Sequence, residues 1–152
     1  MAYVRLDKIK ATAHIESVVH SADLKNGQFL ELGVIDETLG GEAVDVEMST
    51  VDTKPEAILV TPHLDYGEIN FDYAKQVTKA GKMGRAYILE AGNTLSFSAD
   101  LVAGEPAVGD MVAVGENGLG IKKVTDSEVA IGKVIGTEYL ANIGDLTVVR
   151  FK

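Results

Sequence analysis

Apolar and polar positions alternate with a period of two along most of the chain, the spacing that places side chains on the two faces of a β-strand. The clearest stretch is Val108 to Val124, VGDMVAVGENGLGIKKV. An apolar run, Met111-Val112-Ala113-Val114, is followed by Asn117-Gly118 and then by Leu119, Ile121 and Val124. Asn-Gly between β-rich segments favours a type I′ turn, which needs φ > 0 at both central residues, so the stretch predicts an antiparallel hairpin. Its opening, a glycine and a polar residue before an apolar run, recurs at Gly27-Gln28, Gly92-Asn93 and Gly144-Asp145. Each predicts a turn that delivers a strand.

The same alternation predicts strands over Gln28–Ile35, Ala57–Val60, Arg85–Leu89, Thr94–Ser98 and Leu146–Phe151. Ala43–Met48 places Val44, Val46 and Met48 on one face, and the Leu39-Gly40-Gly41 turn lets it pair with the strand before it. Pro62 ends the Ala57 strand, since proline has no N–H for a ladder. Glu128–Gly136 is a strand with Gly132 inside it, where a bulge or bend is expected. In the first segment Val4 and Leu6 alternate with charges, and Ile9, Ala11, Ala13 and Ile15 continue the period. Leu6, Ile9 and Ala13 also fit helical spacing, but the alternation holds over more positions, so this segment is read as extended. About ten strands and no clear helix predict an all-β, mainly antiparallel fold: a small β-barrel or β-sandwich body with an extended N-terminal arm. Residues 1–25 form that arm or an edge strand. Residues 26–152 form a single β-rich body, with a seam between two subdomains near residue 90 as a variant.

Composition narrows the class of protein. The 152 residues are 46% hydrophobic and 24% charged, as in an ordinary folded domain. Aromatics are few and Trp is absent, so the core rests on Val, Ile, Leu and Ala. The absence of Cys excludes disulfides and thiol chemistry. A net charge of −9 argues against direct nucleic-acid binding. The charge is uneven: residues 1–25 carry Arg5, Lys8, Lys10 and Lys25 against Asp7, Glu16 and Asp23, and the acidic excess lies in the remainder. No apolar run approaches the roughly 18 residues of a membrane span. The first residues lack the apolar core of an export signal, so a soluble protein that is not Sec-exported is expected.

The chain offers little chemistry. His14, His20 and His63 have no partner at metal-ligand spacing, and Ser96 and Ser98 lie in a strand, outside any nucleophile elbow. Gly115–Gly120 and Ala80–Gly84 are glycine-rich but lack the GxxxxGK[ST] pattern of a phosphate loop. Asp65, Glu68 and Asp72 do not have calcium-loop spacing and read as a solvated acidic face. A carrier domain would need its lysine at the hairpin tip, where Asn117-Gly118 stands; Lys122 and Lys123 fall in the next strand. No catalytic residue, metal or cofactor is expected. Residues 63–84 gather Tyr66, Ile69, Phe71 and Tyr73 in a loop-like stretch, a candidate contact loop.

Several stretches together resemble the capsid decoration proteins of tailed bacteriophages, in the versions from phages of Gram-positive hosts. They are Leu24–Gly33 (LKNGQFLELG), Arg85–Leu89 with Ala91-Gly92-Asn93, Val108-Gly109-Asp110-Met111-Val112, Ala130–Val134 and Gly144-Asp145-Leu146. The likeness spans most of the chain, rests on glycine-turn-strand patterns, and is weakest over residues 36–84. It implies a non-enzymatic virion protein on the outer capsid surface, made in the host cytoplasm. Such proteins clamp neighbouring major capsid protein subunits and associate with their own copies, a trimer being favoured. The basic N-terminal segment, with Tyr3, Val4, Arg5, Leu6, Lys8, Ile9 and Lys10, is the candidate capsid-contact arm. A tail, fibre or head-tail adaptor component is the alternative, and a ligand-binding β-barrel or enzyme the remaining one.

Overall fold

The computed structural model describes residues 2–62 and 76–152. The candidate loop residues Tyr66, Ile69, Phe71 and Tyr73 lie outside the described residues, as do His63 and the Asp65, Glu68 and Asp72 group. Within them, each strand expected from the alternation forms to within a few residues, and the architecture is all-β. Its elements are β1 (Val4–Lys8), β2 (Ile15–Val19), β3 (Leu24–Lys25), β4 (Phe29–Ile35), β5 (Val44–Met48), β6 (Ala57–Leu59) and β7 (Val77–Thr78). They continue with β8 (Gly84–Ile88), β9 (Thr94–Ser98), β10 (Val102–Ala103), β11 (Met111–Val114), β12 (Ile121–Lys123), β13 (Gly132–Leu140) and β14 (Gly144–Phe151). The two-residue strands β3, β7 and β10 are too short for periodicity to reveal. Only single 3-10 turns, Glu37–Leu39, Ala99–Leu101 and Glu116–Gly118, add helical geometry among the described residues.

Five strands close a barrel in the order β2-β5-β4-β6-β8, and seven form a sheet in the order β1-β9-β14-β13-β11-β12-β10. All pairs among the described residues are antiparallel except β2 with β5 and β10 with β12. The chain passes from barrel to sheet between Ile88 and Thr94. The N-terminal segment is extended in two strands but turns between them at Lys10–Ala13, where the period of two is expected to continue. Both strands are taken up at home: β1 pairs with β9 as an edge of the sheet, and β2 closes the barrel between β5 and β8.

Three of the repeated turns share one geometry. Gln28, Asn93 and Asp110 each donate their N–H to the carbonyl three residues back, at 3.2, 3.1 and 3.0 Å. The glycine before each has φ of 89°, 93° and 100°, the left-handed value that the third position of a type II turn requires. At two of them the polar side chain reinforces the turn: Gln28 Oε1 accepts from Lys25 N–H and Asp110 Oδ2 from Ala107 N–H. The sequence pattern therefore encodes a turn with a built-in polar lock.

The opening hairpin departs from expectation in its turn. β11 and β12 pair antiparallel, Val114 opposite Ile121, and both Asn117 (φ 53°) and Gly118 (φ 77°) are left-handed. The connection, however, is a six-residue loop, Gly115–Gly120, closed by Gly115 N–H to Gly120 O at 2.8 Å. Tertiary contact explains the longer loop, because it is the joint to the barrel. Gly120 N–H donates to Gly27 O (2.9 Å), and buried Gln28 donates through Nε2 to Asn117 O (3.2 Å). A second difference lies in β13, which starts at Gly132 instead of Glu128 and runs on to Leu140. Its bulge falls between Val134 and Gly136, not at Gly132.

Two apolar clusters fill the interior. One lies inside the barrel, with Val18, Leu24, Leu30, Val46, Ala57, Leu59 and Ala86. The larger lies between barrel and sheet and holds Phe29 and Ile58 from the barrel with Phe97, Val112, Val149 and Phe151 from the sheet. The ring centroids of Phe29, Phe97 and Phe151 are 6.0 to 6.3 Å apart, within the range of favourable aromatic pairs.

Two outcomes test this arrangement. Phe29→Ala is expected to cost about 3–5 kcal/mol in urea unfolding and to leave one cooperative transition; separate barrel and sheet transitions in the wild type would contradict the shared core. Alanine at Gly92 meets no atom within 4 Å and carries only backbone strain, about 1–2 kcal/mol. At Gly120 an added Cβ would lie 2.1 Å from Leu101 O, so Gly120→Ala should be markedly the worse of the two in thermal melts.

Candidate contact surface

The residues expected to form a contact arm are divided by the fold between core and surface. Val4 is buried at 7% exposure, and Leu6 and Ile9 pack against the same cluster. Tyr3 is tied to β9 through its backbone, its N–H donating to Ser98 Oγ (3.0 Å) and its carbonyl accepting from Ser98 N–H (2.9 Å). The apolar half of the arm is therefore spent on the chain's own sheet.

Its charged half is largely paired as well. Arg5 Nε donates to Asp7 Oδ1, Ser96 Oγ donates to Asp7 Oδ2, and Arg5 Nη2 lies 2.8 Å from Glu138 Oε2. Residues 5 and 7 fall on one face of β1, so a single network stitches the edge strand across β9 and on to β13. The hydrogen bond and charge of Asp7 raise the Arg5 pKa above its ordinary value. Lys10 pairs with Glu90 at 2.8 Å. Lys8 is exposed, on a strand whose outer edge has no partner strand among the described residues. The Arg5–Asp7 relation was readable from the alternation; Ser96 and Glu138 as partners were not, because strand pairing is non-local.

A half-open groove runs between β1 and the barrel, lined by Tyr3, Leu6, Asn26, Val60, Thr61 and Tyr87 among others. Its lining is mainly apolar. Asn26 and Thr61 satisfy each other, Asn26 Nδ2 donating to Thr61 O (3.2 Å) and Thr61 N–H to Asn26 Oδ1 (2.9 Å). Among the described residues, no group of three or more His, Asp or Glu side chains could hold a metal ion. His14 is exposed beside Glu16 (2.7 Å), and His20 Nδ1 accepts from Ala22 N–H. Lys122 pairs with Glu128, and Lys123 with Asp110 at 2.8 Å, so both strand lysines are engaged in ion pairs.

The larger exposed apolar features lie elsewhere. Val34 and Ile35 end β4 at 74% and 59% exposure, and Tyr139 on β13 is 71% exposed. In the sequence, the only signal separating Val34 and Ile35 from core positions is the acidic run that follows them.

An all-β chain with a five-stranded barrel fused to an antiparallel-dominated sheet defines the fold class. One solved structure of this fold is the head fiber gp8.5 N base in bacteriophage phi29, with a TM-score of 0.56. It is 13% identical and matches over 93% of this chain and 95% of that chain. No protein-family model matches the chain, and no curated protein does.

Four carboxylates lock loops and are held below their ordinary pKa by hydrogen bonds. Asp110 is lowered first by Lys123 and then by Ala107 N–H, and Glu128 by Lys122 and then by Thr125 N–H. Asp23 is lowered by Ala80 N–H and Lys79, and Asp36 by the Thr38 hydroxyl and N–H. A carboxylate with a depressed folded pKa contributes stability that is fully present above its unfolded value and lost as pH falls through the folded value. The melting temperature is therefore expected to hold from neutral pH down to about 5 and to fall below about 4. Asp110→Asn should flatten part of that decline, and an unchanged profile would show the Asp110 lock contributes nothing.

Proposed function

We propose that the chain is a non-enzymatic structural protein of a tailed-phage virion, bound to the outer surface of the capsid and clamping neighbouring major capsid protein subunits. The observation that carries this reading is the fold it shares, over nearly its whole length, with a phage head fiber base. The physical build supports it. A clamp needs a stiff body with a repeated contact surface, and the barrel and sheet share one core that makes them a single body. The open edge of β1, bearing Lys8 beside Lys10, presents backbone and positive charge on an otherwise acidic protein, a suitable strand for pairing with a neighbouring subunit. Self-association, as a trimer, places several such edges on one lattice site.

A second reading is a tail, fibre or head-tail adaptor component; the structural neighbour favours it only in being a fiber base, and that fiber is one of the head. The two differ in where the mass sits: regularly on the head lattice for a decoration protein, or at a tail or connector for the alternative.

The test is co-sedimentation of the purified protein with expanded heads that lack it, followed by imaging of the decorated particles. Deleting the first residues would remove β2 and open the barrel, so the contact is probed by Lys8→Glu with Lys10→Glu. Saturable binding is expected for the wild type, with at least about tenfold weaker binding for the double variant. Absence of binding to heads, or density confined to tails, would overturn the decoration reading.

A further inference from the structure

We infer that copies of this chain associate head to tail, the β4–β5 hairpin of one copy docking on the β7–β8 loop of the next. The inference shares self-association with the proposed function and does not depend on the virion assignment.

The first surface is the end of the β4–β5 ribbon. Here β4 has left the barrel: its register against β5 slips between Leu32 and Ile35, and its last paired neighbour in β6 faces Leu30. Val34 and Ile35, on opposite faces of a two-stranded ribbon, consequently have no layer to cover them, and they are 74% and 59% exposed. Around them stand Glu31, Asp36, Glu37, Glu42, Asp45 and Glu47, with no basic residue between positions 31 and 47. A ribbon end with an exposed aliphatic residue on each face and acidic residues around it calls for a partner that offers apolar surface with positive charges beside it.

The same chain supplies that surface. The stretch Lys79–Arg85, the β7–β8 turn and the first residues of β8, carries three basic residues and no acid, and Met83 just before β8 is 48% exposed. Lys79 is held by Asp23 at 3.1 Å, while Lys82 and Arg85 make no ion pair among the described residues. Methionine suits such a role, being flexible and apolar.

The two surfaces point away from each other, so one copy cannot satisfy its own pair. Val18 of β2 faces Val44 on one side and Gly84 on the other. β5 runs with β2 and β8 against it. The hairpin tip before Val44 therefore extends back toward Ile15. The loop before Gly84 extends onward past Val19, where Gly81 N–H donates to His20 O at 2.9 Å. Two complementary patches directed oppositely on one body give a heterologous contact, which closes into a ring when the rotation between copies permits.

Sedimentation velocity on the purified full chain, without heads, tests the pairing. The wild type should associate reversibly and more weakly as salt rises. Glu37→Lys with Glu42→Lys, Lys82→Glu with Arg85→Glu, and Val34→Ser with Ile35→Ser should each weaken association at least about tenfold. Mixing the two charge-reversed chains should restore it, because each then offers what the other lacks. A wild type that stays monomeric, association that survives either reversal, or reversed chains that fail to combine would overturn the pairing. Head binding is read separately, so loss of one result leaves the other standing.

Discussion

The contact among Phe29, Phe97 and Phe151 is the constraint on which the structure depends. The chain has four phenylalanines, and three of them meet here. Phe29 belongs to the barrel and the other two to neighbouring strands of the sheet. A five-stranded barrel has an inside of its own to fill, but an open seven-stranded sheet has an apolar face that something else must cover. The barrel wall provides that cover, and the loop between β11 and β12 fixes its placement through a backbone hydrogen bond to the Gly27 carbonyl and one from the Gln28 side chain. Large rings set how far apart the layers lie, and the backbone joint sets their rotation. Either alone would leave the two parts free to slide.

This division of labour explains where the charges went. Most basic groups of the N-terminal segment and of β12 are matched within the chain, by Asp7, Glu138, Glu90, Glu128 and Asp110. Such exposed pairs add little stability individually. Their effect is on edges and loops, which they hold in one arrangement.

The sequence pattern made the strands and the recurrent turns legible because both are local. A period of two needs only neighbouring residues, and the glycine with its following polar residue carries the whole type II turn. What was not legible is what depends on distant partners. Asn117-Gly118 has the left-handed backbone expected of it, yet the loop is longer because Gly27, Gln28 and Phe29 lie against it. Val34 and Ile35 have the pattern of core residues and stand in solvent because β4 outruns its neighbour. Val4, Leu6 and Ile9 were read as an arm or edge, and the docking of β1 onto β9, some ninety residues away, could not be seen from either strand. The core between barrel and sheet was foreseeable only as apolar content.

The strand order carries a consequence for how the chain comes together. β14 is the last strand in chain order, yet it lies between β9 and β13, near the middle of the sheet. During vectorial synthesis the barrel strands, all between Ile15 and Ile88, can find one another early. Until β9 and β14 arrive, Phe29 and Ile58 have water where the sheet will be. β1, though made first, waits for β9 and is the longest-delayed partner. A nascent chain of this design carries an exposed apolar wall until the sheet strands are made, and the strand that covers it is inserted into the sheet's interior instead of being added at its rim.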